Sequence, residues 1–164
     1  MRTAIVTGGT RGIGRAIAAA LLADGGRVMI AGLHQTGVDR ALAELVQPAG
    51  DSSRVAGCAA DVRERSAVDR LIDETVRRFG AFDTLINNAG VGLFIGVEAT
   101  SDEGWDRVIG TNLTGAFYCS RAALPHLRKA GGGWIVNIAS LAGTAGFANG
   151  AAYCASKAGL IAFS

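Results

Sequence analysis

The sequence is poor in cysteine, in proline and in excess charge, and each scarcity excludes a class of protein. Its three cysteines, Cys58, Cys119 and Cys154, lie far apart and form no C-x-x-C pair. An odd number of cysteines without paired spacing argues against a disulfide framework or a zinc site and favours reduced thiols in a cytoplasmic protein. The 24 glycines and 2 prolines follow no collagen-like or low-complexity period. We therefore expect an ordered globular chain without a metal site.

Charge of one sign is equally scarce. The 16 basic and 14 acidic residues are scattered along the chain and leave a net charge of +2. Proteins that bind nucleic acids or membrane surfaces concentrate their basic residues in a patch or a run. We therefore predict no nucleic-acid partner and no membrane partner.

No stretch of the sequence suits a membrane span or a signal peptide. Residues 130–156 carry no charge, but glycines and asparagines interrupt them repeatedly, which a lipid-facing helix does not tolerate. Near the start, TGGTRGIG cuts short the apolar run at residues 4–6. That run is too short for the apolar segment of a signal peptide. We interpret both regions as strands, turns and helix ends of a folded domain.

The sequence alternates short apolar runs with helical patterns. Strands are predicted at 3–7, 27–32, 55–60, 82–87 and 134–140, and helices at 12–24, 37–46, 64–79, 102–129 and from 151 onward. Near-continuous apolar strands are typical of a parallel sheet that is covered on both faces. Right-handed crossovers then predict an α/β fold, a doubly wound parallel Rossmann sheet with strand order 3-2-1-4-5. We expect residues 1–164 to form a single dinucleotide-binding domain.

The first strand leads into a glycine-rich turn, TGGTRGIG at residues 7–14. In such a turn Gly8 permits a tight bend, Gly12 lets backbone N–H groups approach a diphosphate, and Gly14 lets the helix pack close to the strand. The G-x-x-x-G-x-G spacing differs from the strict G-x-G-x-x-G fingerprint. The alternative is a turn that serves only strand-to-helix packing.

The end of the second strand bears on the choice of cofactor. An acidic residue at this place binds the free 2′-hydroxyl of an adenosine ribose, but residues 25–38 contain no carboxylate. Arg11, and His34 if it is not merely solvated surface, can instead attract a 2′-phosphate. We predict NADP(H) as the preferred cofactor and NAD(H) as the alternative.

Tyr153 and Lys157 lie four residues apart in YCASK, so they share one face if they lie on a helix. An ammonium about 4 Å away at an effective dielectric near 20 favours a tyrosinate by about 4 kcal/mol, or roughly three pKa units. Such a tyrosine is an effective proton donor near neutral pH. The plainer alternative is a core tyrosine beside a solvated lysine.

Together these motifs resemble the short-chain dehydrogenase/reductase family. The matching segments, in the family's order, are TGGTRGIG, Asp61-Val62, Asn87-Asn88-Ala89-Gly90, Asn112, Ser140 and YCASK. The resemblance extends along the whole sequence and implies an oxidoreductase that interconverts a carbonyl and an alcohol substrate.

The resemblance also implies a role for each residue of a catalytic set. Tyr153 is the general acid in reduction and the base in oxidation, while Lys157 activates it and binds the nicotinamide ribose. Ser140 holds the substrate oxygen, and Asn112 contributes to a water-mediated proton path to Lys157. From the residues alone, the alternative for Asn112 is an irregularity in a helix without a catalytic use.

A larger set of residues is expected to hold the cofactor. Asp61 is implied to contact the adenine, although it could simply begin a turn, and residues 88–90 are implied to line the cofactor after the fourth strand. The full set is Gly8, Thr10, Arg11, Gly12, Ile13, Gly14, His34, Asp61, Val62, Asn88, Ala89, Gly90, Tyr153 and Lys157.

Members of the family normally continue beyond the tyrosine helix with a substrate lid, and we expect that C-terminal segment to be absent here. Residues 91–95 and 142–149 remain as walls for an apolar or mixed substrate. The second functional hypothesis is a truncated, catalytically weak fragment that acts as a nucleotide-binding or subunit-association module. We also expect a homo-oligomer formed through the helices near 102–129 and 151–164.

Overall fold

The computed structural model describes residues 2–164, which form one five-stranded parallel sheet with helices on both faces. The strands are β1 (Thr3–Thr7), β2 (Arg27–Gly32), β3 (Val55–Ala59), β4 (Thr84–Asn87) and β5 (Trp134–Asn137). The helices are α1 (Gly12–Ala23), α2 (Gln35–Ala49), α3 (Arg65–Phe79), α4 (Asp102–Ile109), α5 (Gly115–Lys129) and α6 (Ala151–Phe163). The order β3-β2-β1-β4-β5 confirms the predicted doubly wound sheet.

Alternate side chains of the central strand enter two separate cores. Ile5 pairs in register with Met29 and Leu85, and these join the core beneath α3 and α5. Its neighbour Val6 belongs to the opposite core, beneath α1 and α2. Both faces of the strand are therefore buried, which explains why the strands read as unbroken apolar runs.

Several boundaries differ from those predicted. Helix α2 is longer at both ends than 37–46, whereas the fourth strand starts two residues later than predicted and the fifth ends three residues earlier. The N–H of Ile138 makes a last bond to β4, at the Asn87 carbonyl (2.9 Å), and the N–H of Ala139 then turns back to donate to the Asn137 carbonyl at 3.0 Å. Residues 138–140 thus lie in a loop at the carboxyl end of the sheet.

The predicted helix over 102–129 is wrong as a single regular helix. A π-helical turn, Gly110–Thr114, separates α4 from α5, and the N–H of Gly115 reaches back to the Gly110 carbonyl. Gly115 has no room for a side chain, because a Cβ there would overlap the Val62 side chain. Such widened turns frequently mark functional sites, and this one contains Asn112.

Within residues 2–164, no helix is both long enough and apolar enough to cross a membrane. Two strands form the edges of the sheet, β3 on one side and β5 on the other. On β5, Trp134 and Val136 are exposed.

Candidate active site

The glycine-rich turn takes the tight shape that the sequence predicts. Gly8 and Gly12 have φ values of +62° and +54°, a region that other residues rarely adopt. A Cβ on Gly14 would overlap the Gly8 carbonyl and the Asn88 side chain. The start of α1 therefore packs directly against the turn.

The N-terminus of α1 is open. A Cβ built on Gly12 would meet no neighbouring atom of residues 2–164 within 4 Å, and Ile13 is exposed. The N-cap residue, Arg11, offers no side-chain acceptor, and the first turn holds no acidic residue. The free N–H groups of this turn fit an anionic diphosphate.

Asn88 ties the turn to the end of β4. Its Nδ2 donates to the carbonyls of Thr7 (2.9 Å) and Gly8 (3.1 Å). In return, the Thr7 hydroxyl accepts from the N–H groups of Asn88 and Ala89, both at 3.0 Å. The sequence predicts Asn88 as a cofactor contact. It does not predict that Asn88 and Thr7 also hold the turn against the end of β4 through these hydrogen bonds.

The residues expected around the adenosine ribose lie at the surface. Arg11 is exposed, and His34 is exposed at the N-cap of α2 without capping it. Gly32 ends β2, and Leu33 is exposed beside it. The segment 25–38, which contains β2 and the residues that follow it, has no carboxylate.

Asp61 is held by its neighbour Arg63. The Arg63 Nε lies 3.0 and 3.1 Å from the two carboxylate oxygens, and the backbone N–H of Arg63 donates at 3.0 Å. The hydrogen bond from Arg63 keeps the pKa of Asp61 below its usual value. Asp61 is only half-buried and is charged at neutral pH, while the next residue, Val62, is buried.

Asn112 joins three parts of the site through its side-chain amide. Its Oδ1 accepts from the Val91 N–H at 2.8 Å, and its Nδ2 donates to the Val91 carbonyl at 2.9 Å and to the Ser156 hydroxyl at 2.9 Å. The Ser156 hydroxyl in turn donates to the Tyr153 carbonyl at 2.8 Å. Asn112 is thus both a helix irregularity and a clamp between the β4–α4 segment and α6.

Lys157 is buried, which contradicts the alternative that it is a solvated helix residue. Only 5 % of it is exposed, and its Nζ donates to the Ile138 carbonyl at 2.6 Å. Burial lowers the pKa of Lys157. Within residues 2–164, no carboxylate forms a salt bridge with it.

The Lys157 ammonium lies beside the other predicted residues. The Nζ is 3.8 Å from the position of a Cβ built on Gly90, and Asn112 Oδ1 is 3.4 Å from that position. The Lys157 Nζ lies 5.8 Å from the centroid of the Tyr153 ring. The ammonium therefore faces a region bounded by Gly90, Asn112 and Tyr153.

Tyr153 lies on the first turns of α6, as the spacing predicts, and is half-buried. Phe94 meets its ring edge-on with centroids 5.6 Å apart, and Phe147 lies 5.9 Å from Phe94. The two expected wall segments, 91–95 and 142–149, therefore meet at Phe94 and Phe147, beside Tyr153. They form an apolar boundary on one side of its ring.

Ser140 caps the short 3₁₀ turn that follows the loop after β5. Its hydroxyl accepts from the Ala142 N–H at 3.2 Å. The same turn packs on α6, because a Cβ on Gly143 would come within 2.7 Å of the Lys157 backbone. Ser140 is thus placed at the carboxyl end of the sheet, on the turn that contacts Lys157.

The structure brings Gly90, Asn112, Tyr153 and Lys157 together, with the Ser140 turn packed on the same helix. Sequence reasoning missed Ser156, although its position three residues after Tyr153 places it one helical turn away. In the described part of the chain, no group of three or more His, Cys, Asp or Glu side chains could hold a metal ion.

The chain resembles known proteins along its length. The model of the short chain dehydrogenase family matches residues 2–164. The chain is 38 % identical to D-beta-hydroxybutyrate dehydrogenase of Cupriavidus necator over 99 % of its own length and 62 % of that protein's. It is 39 % identical to a 2-dehydro-3-deoxy-L-rhamnonate dehydrogenase (NAD(+)) of a Sphingomonas species, over 99 % of this chain and 63 % of that protein.

Solved structures agree with the sequence comparisons. A metagenomic short-chain oxidoreductase in complex with NADP superposes with a TM-score of 0.90 and 36 % identity, over 99 % of this chain and 72 % of that one. The chain therefore spans somewhat less than two thirds of the two dehydrogenases and about 70 % of the solved oxidoreductase.

Proposed function

The chain belongs to the short chain dehydrogenase family, and we propose that it is an NADP(H)-dependent oxidoreductase that interconverts a ketone and a secondary alcohol. One observation carries the proposal. A buried lysine, Lys157, has no carboxylate partner among residues 2–164, lies one helical turn from Tyr153 and faces Gly90 and Asn112. A buried ammonium without a carboxylate partner is costly in a structural role, which points to a functional one.

The carboxyl edge of the sheet supplies a path for the cofactor. The open N-terminus of α1 holds the diphosphate, residues 88–90 line the middle of the path, and Lys157 binds the nicotinamide ribose. When bound, the nicotinamide supplies hydride in reduction and accepts it in oxidation. The open space before Gly12 and the position of Gly90 beside the Lys157 ammonium support this fit.

The side chains of this chain then supply the proton. Tyr153 donates its phenolic proton to the carbonyl oxygen as hydride reaches the carbonyl carbon, and it recovers that proton in the reverse direction. The Lys157 ammonium stabilises the transient phenolate, and Ser140 donates a hydrogen bond to the substrate oxygen. The apolar boundary at Phe94 and Phe147 favours an uncharged, apolar or mixed substrate.

A turnover assay tests this function. Purified protein is mixed with NADPH and a set of small ketones, or with NADP⁺ and secondary alcohols, and the nicotinamide absorbance is followed. We expect ketone-dependent loss of NADPH and alcohol-dependent gain. Tight dinucleotide binding without turnover of any substrate would favour the nucleotide-binding module instead, and absence of both would overturn the proposal.

The preference for NADP(H) rests on Arg11 and on the missing carboxylate at the end of β2. A charge-assisted contact between Arg11 and the 2′-phosphate is worth roughly 10- to 150-fold in affinity. Arg11→Ala should therefore weaken NADPH binding by that factor and leave NADH binding unchanged. Arg15→Ala is the matched control, because Arg15 lies one turn along α1 and pairs with Glu44. Equal dissociation constants for the two cofactors in the wild type would refute the preference.

A further inference from the structure

At the end of β2, the Thr10 side chain occupies the space that a side chain at position 32 would need. The N–H of Gly9 donates to the Ala31 carbonyl at 2.9 Å, which holds the glycine-rich turn against the strand. A Cβ built on Gly32 would overlap the Cγ2 methyl of Thr10 and would lie 3.4 Å from both Thr10 Oγ1 and Val38 Cγ2. The Thr10 methyl therefore fills the place where a side chain of residue 32 would begin.

Lack of space, and not backbone conformation, disfavours a side chain at this position. Gly32 is a strand residue, and it is not among the glycines with positive φ. Any residue could adopt its backbone angles. The overlap with Thr10 is thus the specific barrier to a side chain at position 32.

The position matters because of the charge it would carry. In dinucleotide-binding sheets an acidic residue near the end of the second strand accepts a hydrogen bond from the free 2′-hydroxyl of the adenosine ribose. The same carboxylate would repel a 2′-phosphate. Thr10 precedes Arg11 in the chain, so the residue whose methyl group packs against the end of β2 is followed directly by an exposed arginine.

We propose that Thr10 is a specificity-determining residue, whose methyl group excludes an acidic side chain at position 32 and so keeps the ribose site open to a 2′-phosphate. The proposal rests on the NADP(H)-dependent function proposed above. It makes Thr10 and Gly32 a coupled pair, so that changing one alone has a different effect from changing both.

Thermal unfolding without cofactor tests the contact itself. Overpacking destabilises the folded state, and for a domain of this size its typical cost corresponds to a fall in Tm of roughly 2–12 °C. Gly32→Ala should lower Tm by that amount, and adding Thr10→Ser should restore most of it, because serine keeps the hydroxyl and lacks the methyl. Adding Thr10→Val, which keeps a methyl, should not restore it. A wild-type Tm in Gly32→Ala, or equal rescue by serine and valine, would overturn the proposal.

Cofactor titration tests the specificity. Gly32→Asp combined with Thr10→Ser should bind NADH about tenfold more tightly than the wild type does and NADPH at least about tenfold more weakly. Gly32→Asp alone, or with Thr10→Val, should not gain NADH affinity. The same gain in Gly32→Asp alone would show that Thr10 does not determine specificity. A wild type that binds neither dinucleotide would overturn the proposed function, whereas the Tm comparison would still report on the contact.

Discussion

The Asn112 amide donates a 2.9 Å hydrogen bond to the Ser156 hydroxyl, and this bond joins the π turn to the helix of Tyr153 and Lys157. Asn112 is 2 % exposed and Ser156 is fully buried. A buried bond between two elements fixes their separation, since breaking it leaves a polar group without a partner. The contact therefore sets where the lysine and tyrosine stand relative to the β4–α4 segment.

Ser156→Ala should lower the free energy of unfolding by about 1–3 kcal/mol and should also weaken dinucleotide binding. The Asn112 amide would lose one acceptor, and α6 would be free to shift relative to Gly90. The matched control is Ser120→Ala, since Ser120 is also buried and accepts from Asn87 at 3.0 Å. Chemical denaturation and fluorescence titration of both variants separate the two effects. Equal losses of dinucleotide affinity would mean that Ser156 acts only on stability.

Lys157 should make stability depend on pH in the alkaline range. Its pKa is lowered by burial, so the unfolded chain binds the proton more tightly than the folded one. The penalty for burying the charge is full below the folded pKa and disappears as the pH rises toward the unfolded value of about 10.4. The stability of the wild type relative to Lys157→Met should therefore increase between pH 7.5 and pH 10. Urea unfolding at both values measures it, and a constant or falling difference would contradict the burial of a charged lysine.

Cys119 should resist alkylation in the folded protein. It is 1 % exposed, and burial raises its pKa to about 12, so thiolate is scarce even at pH 10. Iodoacetamide treatment followed by peptide mass spectrometry should leave Cys119 unmodified until urea unfolds the chain. Rapid modification of Cys119 under native conditions would show that the core beneath α3 and α5 opens readily.

The helices at 115–129 and 151–163 should mediate self-association. Leu124 and Ile161 are exposed, as are Phe117 and Phe163, whose ring centroids are 6.4 Å apart. Exposed apolar groups clustered on neighbouring helices are typical of subunit contacts. Light scattering should give a mass above the 16.7 kDa of one chain.

A charge in this surface provides the control. Leu124→Glu should shift the protein toward the monomer, whereas Val97→Glu, on an exposed residue of the β4–α4 segment, should leave the mass unchanged. A wild-type monomer at micromolar concentration would show that these helices serve another purpose.

The sheet order was predictable because its signals are local. The sequence alone shows the apolar runs of the strands and the glycine-rich turn between β1 and α1. Recognising them requires no knowledge of contacts between distant residues. The positions of Tyr153 and Lys157 on one helix followed from their spacing for the same reason.

The features that could not be predicted from the sequence depend on contacts between residues far apart in the chain. The hydrogen bond between Asn112 and Ser156 joins residues 44 positions apart, and neither residue type by itself predicts it. The π turn arises where Gly115 packs on Val62, which a helical pattern over 102–129 cannot reveal. Likewise, the overlap between Thr10 and any side chain at position 32 becomes visible only when the turn lies against β2.

The most direct test of the account compares wild-type protein with Tyr153→Phe. The substitution removes only the phenolic hydroxyl, so dissociation constants for NADPH should stay close to those of the wild type. Turnover of the best ketone should fall by about 10²- to 10⁴-fold, because the proton donor is lost. Both quantities are measured on the same preparations by fluorescence titration and by nicotinamide absorbance. Turnover close to that of the wild type, or a parallel loss of NADPH binding, would contradict the assignment of Tyr153 as the proton donor.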